Sequence, residues 1–90
     1  MASYLISVEL QNPSARRFDI LDELKKLSSS VELTETCYAV ETSDSAESLY
    51  RRLKGLLREN ELLYVLTLAP GWFGRGPTEA NAWLTKHVGD

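Results

Sequence analysis

The sequence predicts an α+β fold: strand, helix, strand, strand, helix, strand, then a further helix at the C-terminus. Three observations carry that expectation. Apolar residues alternate through Tyr4–Leu10. They recur at helical spacing in Ile20, Leu21, Leu24 and Leu27, and again in Ala46, Leu49, Leu53, Leu56 and Leu57. A nearly unbroken apolar run, Leu62–Leu68, follows the second stripe.

Tyr4–Leu10 reads as a strand with Tyr4, Ile6, Val8 and Leu10 on one face and Leu5, Ser7 and Glu9 on the other. Asn12-Pro13-Ser14 stops it, because proline has no amide donor and asparagine favours turns. Ser14 is the expected N-cap of a helix over Arg16–Leu27, with Asp22 and Lys26 paired four residues apart on its wet face. Val31–Leu33 and Thr36–Thr42 read as two antiparallel strands joined at Thr34-Glu35. Tyr38 and Val40 share one face of the second, and Cys37, Ala39 and Glu41 the other. Asp44, with Glu47 three residues on, is the expected cap of the second helix. Its apolar stripe continues through Gly55, although glycine there costs about 1 kcal/mol against alanine. Leu62–Leu68 reads as a strand covered on both faces. A glycine-rich loop over 70–76 leads to Pro77, suited to the first turn of a last helix carrying Ala80, Trp83, Leu84, His87 and Val88 at helical spacing.

The first six elements match the split β-α-β plan of a ferredoxin-like sandwich, with an additional C-terminal helix. That plan places the first and third strands adjacent and antiparallel at the centre of the sheet, with both earlier helices on one face. A single domain over 1–90 is expected: core 3–69, glycine-rich loop 70–76, C-terminal helix 77–88. A chain of 90 residues buries only roughly 60–65% of its unfolded surface, too little to enclose a deep cavity, and oligomerisation is its natural route to more. The 43% hydrophobic and 26% charged composition is that of a globular protein and argues against disorder. A net charge of -3 neither demands nor excludes nucleic acid, because a local basic stripe can sit on an acidic protein. The opening Met1-Ala2-Ser3-Tyr4 has no basic segment before a long apolar run, and Leu62–Leu68 is too short to span a bilayer. The expectation is a cytoplasmic protein with no membrane partner.

Cys37 is the single cysteine, which excludes an intrachain disulfide; on a strand with no adjacent cation it reads as a small, inert, buried thiol. His87, the single histidine, reads as a packing or capping residue on the apolar side of the last helix, with a general base as the weaker alternative. Glu9 ends the first strand on the face away from the helices. It is either a solvated strand-end carboxylate or a ligand for a hard cation such as Mg2+, shared with its copy in a symmetric dimer. Arg51, Lys54 and Arg58 follow i, i+3, i+7 spacing, with Arg52 beside them, and Arg16 and Arg17 open the first helix. Such residues contact phosphates or simply wet a helix face. Trp72, Phe73 and Arg75 lie among glycines; the aromatics either fold back over the sheet or, exposed with Arg75, stack bases. The small and polar Ser7, Cys37 and Ala39 suggest a closely approached surface, and with Trp72 and Phe73 they form the expected interface.

The segments Ser3–Leu10, Ala39-Val40-Glu41-Thr42, Asp44-Ser45-Ala46-Glu47, the Gly-Trp-Phe-Gly loop and Ala82-Trp83-Leu84 resemble the small SinR-like proteins. That group is similar in turn to the small CRISPR-associated adaptation nucleases, which have a ferredoxin-like fold and form homodimers. The resemblance implies a homodimer associated with RNA or DNA and a metal-dependent endonuclease, active or degenerate, using Mg2+ or Mn2+. The metal ligand it implies is an aspartate at the end of the first strand; Glu9 holds that position here. Read from their own chemistry, the residues leave open a non-catalytic homodimeric protein-binding or regulatory module of the toxin–antitoxin kind.

Overall fold

The computed structural model describes the backbone of residues 1–11 and 13–89, and the side chains of all of these except 13–15. Seven elements follow in the expected order: β1 (Ala2–Glu9), α1 (Pro13–Leu24), β2 (Ser29–Thr34), β3 (Cys37–Thr42), α2 (Ala46–Lys54), β4 (Leu62–Thr67) and α3 (Thr78–His87). The strands form one antiparallel sheet in the order β2-β3-β1-β4, giving an α+β fold. β1 and β3 are therefore adjacent and antiparallel at the centre, and β2 and β4 are the edges.

Alternation along β1 builds the core. Tyr4, Ile6 and Val8 face Ile20 and Leu24 of α1 and Leu49 and Leu53 of α2, with Tyr38 and Val40 of β3 completing the cluster. Burial of each such side chain contributes roughly 1.5–3 kcal/mol. The two aromatic hydroxyls stay satisfied: Tyr4 donates to the Asp44 carbonyl at 3.0 Å and Tyr38 to the Glu35 carbonyl at 3.3 Å. Burial raises the Tyr38 pKa above that of an ordinary phenol, the nearby Arg17 charge opposing it.

α3 lies across the opposite face. The Trp83 indole donates to Ser29 Oγ at 2.8 Å, the Ser3 hydroxyl donates to the His87 carbonyl at 3.4 Å, and His87 Nδ1 stands 3.2 Å from Glu41 Oε2. Those contacts reach β2, β1 and β3 at one end of the sheet. α3 thus covers the β2 side of this face and leaves the β1–β4 side open.

Several boundaries differ from the sequence expectation, each for a local reason. α1 begins at Pro13, which puts Ser14 inside the helix; its capping role falls on a side chain outside those described. α1 also ends at Leu24, so Lys26 pairs with Glu23 at 3.1 Å instead of Asp22. The β2–β3 turn is Glu35-Thr36, one residue later than Thr34-Glu35. The α2 cap is Ser45, whose hydroxyl accepts from the Ser48 amide; Asp44 instead pairs its carboxylate with Arg52 at 3.3 Å. α2 stops at Lys54 with Gly55 as its C-cap. Leu56 and Leu57 follow in tight i→i+3 turns, still packed against the core. Pro77 sits at the N-cap of α3, immediately before its first turn. β4, expected to be covered on both faces, is an edge strand with only Leu63 and Val65 turned to the core. Among the described residues no helix is long and apolar enough to cross a membrane.

Candidate functional site

Glu9 ends β1 and is exposed, as its position predicts. It lines an open cleft of about 260 Å³ with Val8, Leu10, Arg17, Glu35 and Thr36 over the Tyr38 ring. Two carboxylate residues, Glu9 and Glu35, therefore line this cleft together with Arg17, whose guanidinium pairs with Glu32. Among the described residues no three His, Cys, Asp or Glu side chains come together as a metal would need.

Three of the six expected phosphate-binding cations, Arg16, Arg17 and Arg51, are engaged by acids. Arg16 bonds the Glu61 carboxylate and donates to the Leu56 carbonyl at 2.7 Å. Arg17 pairs with Glu32, and Arg51 with Glu47 one helical turn away. Lys54 lies 5.7 Å from the centre of the Tyr50 ring. Arg58 and Arg75 form no ion pair among the described residues, but Arg58 lies beyond the end of α2 and does not extend its stripe. Arg75 belongs to the loop before α3, across the sheet from α2.

Nothing in the sequence singles out Glu61, yet among the described residues its carboxylate is the best-coordinated. Its side chain is wholly buried and accepts from Arg16, from the Gln11 amide at 2.8 Å and from the Arg58 amide at 2.6 Å. Burial alone would raise its pKa. The hydrogen bonds outweigh burial and hold the carboxyl down at about 2. This clamp ties the end of β1, the start of α1 and the α2–β4 connection together, and it is structural.

The open half of the sheet is the largest unassigned feature. The β1–β4 register sets Leu66 opposite Leu5, Tyr64 opposite Ser7 and Leu62 opposite Glu9, so all six share one face. Leu62, Tyr64 and Leu66 are 52%, 63% and 51% exposed. Their strand is also a sheet edge with no charge and no proline over Leu62–Thr67, the residue types that usually protect an edge. A shallow groove beside β4, lined by Ala46, Glu47, Tyr50 and Tyr64, leaves that edge accessible.

The residues expected at an interface divide. Ser7 and Cys37 are half-buried beside the open strip, Cys37 as a free thiol. Ala39 is completely buried within its own chain, contrary to its expected place on an intermolecular surface, because it lies toward the half of the face that α3 covers. Trp72 folds back, its indole donating to the Gly89 carbonyl at 2.5 Å, whereas Phe73 stands in solvent at 99% exposure. His87 stacks on Trp83, ring centres 4.3 Å apart, in the expected packing role. No protein-family model, curated protein or solved structure matches the chain.

Proposed function

We infer that the protein is a non-catalytic homodimeric binding module, its α+β fold of the ferredoxin-like kind, joined to its copy through the open half of the sheet and the β4 edge. The strand order β2-β3-β1-β4, antiparallel throughout with α1 and α2 on one face, supports the fold name. One observation carries the functional reading: Leu62, Tyr64 and Leu66 are exposed side by side on an edge strand without a protecting charge. These three side chains supply part of the ~800 Å² per partner that a standard interface buries. The edge backbone, Leu5 and the groove along Tyr50 supply the remainder. In a two-fold arrangement the same strip meets itself, and antiparallel β4–β4 pairing satisfies the edge amides and carbonyls of both copies.

The endonuclease reading, with Glu9 and its copy sharing Mg2+ or Mn2+ on RNA or DNA, has less support. Glu9 shares its cleft with Arg17, and Arg16, Arg17 and Arg51 face carboxylates instead of solvent-held phosphates. Sedimentation equilibrium tests the dimer. The wild type is expected at twice the single-chain mass, and Leu66→Glu, with an unchanged circular dichroism spectrum, at the single-chain mass. A wild type that sediments as a single chain at all concentrations overturns the reading.

A further inference from the structure

The glycine-rich loop encloses something besides itself. Between it, α3 and the end of β2 lies a cavity of about 260 Å³, separate from the open strip. Leu33, Leu68, Ala80 and Leu84 make its apolar floor and the Trp72 ring one wall. Two polar residues line the same space, Asn81 and Arg75. Arg75 forms no ion pair among the described residues. Phe73 stands at the mouth with its ring almost wholly in water.

The loop is built to hold this shape. Gly71 has φ 105°, a left-handed conformation that favours glycine, and it sends the chain back toward α3. The Trp72 indole is then fastened to the Gly89 carbonyl, and Gly89 itself, at φ 101°, lies against Pro70. Gly74 passes close by the Trp72 ring, where a Cβ would meet it at 3.8 Å. An apolar cavity with fixed walls and a few convergent polar groups is the usual form of a small-molecule site.

We propose that this cavity binds a small planar aromatic molecule carrying one anionic group. The ring lies on the apolar floor against Trp72, Phe73 closes over it, and the anion meets Arg75 with Asn81 as a second donor. A guanidinium matches a carboxylate in a paired geometry that a neutral alcohol cannot use. The volume suits one or two fused rings and little more, since drug-sized ligands occupy cavities of roughly 300–1,000 Å³.

The test uses the full chain, isotope-labelled, and two probes of one shape: 2-naphthoate and its neutral counterpart 2-naphthalenemethanol. Titration followed by amide and indole resonances is expected to give saturable shifts at the Trp72 indole, Ala80 and Leu84 with naphthoate. The Trp83 indole, bonded to Ser29, is expected to move little. Naphthoate is expected to bind about tenfold more tightly than the alcohol, and Arg75→Gln to remove that difference while leaving alcohol binding unchanged. Lys86→Gln, an exposed cation on α3, is expected to behave as wild type. The absence of shifts at these residues in millimolar naphthoate overturns the site. Equal binding of the two probes, or naphthoate binding unaltered in Arg75→Gln, overturns the anion's role. None of these readouts depends on the oligomeric state.

Discussion

Replacing Glu61 by glutamine keeps the side-chain shape and removes one charge, so it isolates what the buried carboxylate does. In the folded chain that carboxyl titrates at about 2, against 4.5 for an ordinary glutamate. A folded pKa below the unfolded one means that stability is present above the unfolded value and is lost as pH falls through the folded value. A gap of about 2.5 pH units corresponds to about 3 kcal/mol. Coulomb geometry gives the same scale, because breaking a buried pair leaves Arg16, whose side chain is only 12% exposed, without its counter-charge. Of the total stability of a domain this size, about 5–15 kcal/mol, that is a large share. The assay is urea unfolding followed by circular dichroism, at one fixed protein concentration because the proposed dimer would make stability depend on it. Glu61→Gln is expected to be about 3 kcal/mol less stable than wild type at pH 7. The difference should shrink below the ordinary glutamate value and close as pH approaches 2. A difference below about 0.5 kcal/mol at neutral pH, the scatter of inconsequential surface changes, refutes the reasoning. So does a large difference that does not change with pH.

The remaining predictions separate structural parts from functional ones. Ser45→Ala is expected to cost about 1 kcal/mol, from loss of its bond to the Ser48 amide, and Asp44→Ala less than that, from one partly exposed ion pair with Arg52; thermal unfolding of the two variants ranks them. Leu53→Ala, at a fully buried site between α2 and the sheet, should cost about 2–5 kcal/mol and lower the urea midpoint with little change in slope. Glu9→Ala should leave the dimer intact and produce no change in RNA or DNA treated with Mg2+ or Mn2+; metal-dependent cleavage by the wild type that the variant lacks would restore the catalytic reading.

The order of elements and most of the core were legible because they rest on local periodicity. The stripe Ile20, Leu24, Leu49 and Leu53 and the alternation Tyr4, Ile6, Val8 all face inward as their spacing requires. Capping was ambiguous, since Asp44 and Ser45 are both good N-cap residues one position apart, and only the Ser48 bond chooses between them. The role of Glu61 was hidden because its partners Arg16 and Gln11 lie 45 and 50 residues away. The partner of Arg17 was hidden for the same reason: Arg17 meets Glu32 on another element. In β4 the apolar residues occupy both faces, so periodicity could not reveal that one face is uncovered; that follows from its edge position. The glycine-rich loop likewise gave two aromatics with opposite fates, and what separates them is the single hydrogen bond from Trp72 to Gly89.

The dimer claim is tested most directly by mixing isotope-labelled and unlabelled chains and recording only the nuclear Overhauser contacts that cross between copies. Contacts from Leu62, Tyr64 and Leu66 to the same strand of the partner are the predicted result, with antiparallel β4–β4 registry. Intermolecular contacts confined to α3 or to the helical face, or none at concentrations where the chain is fully folded, would contradict it.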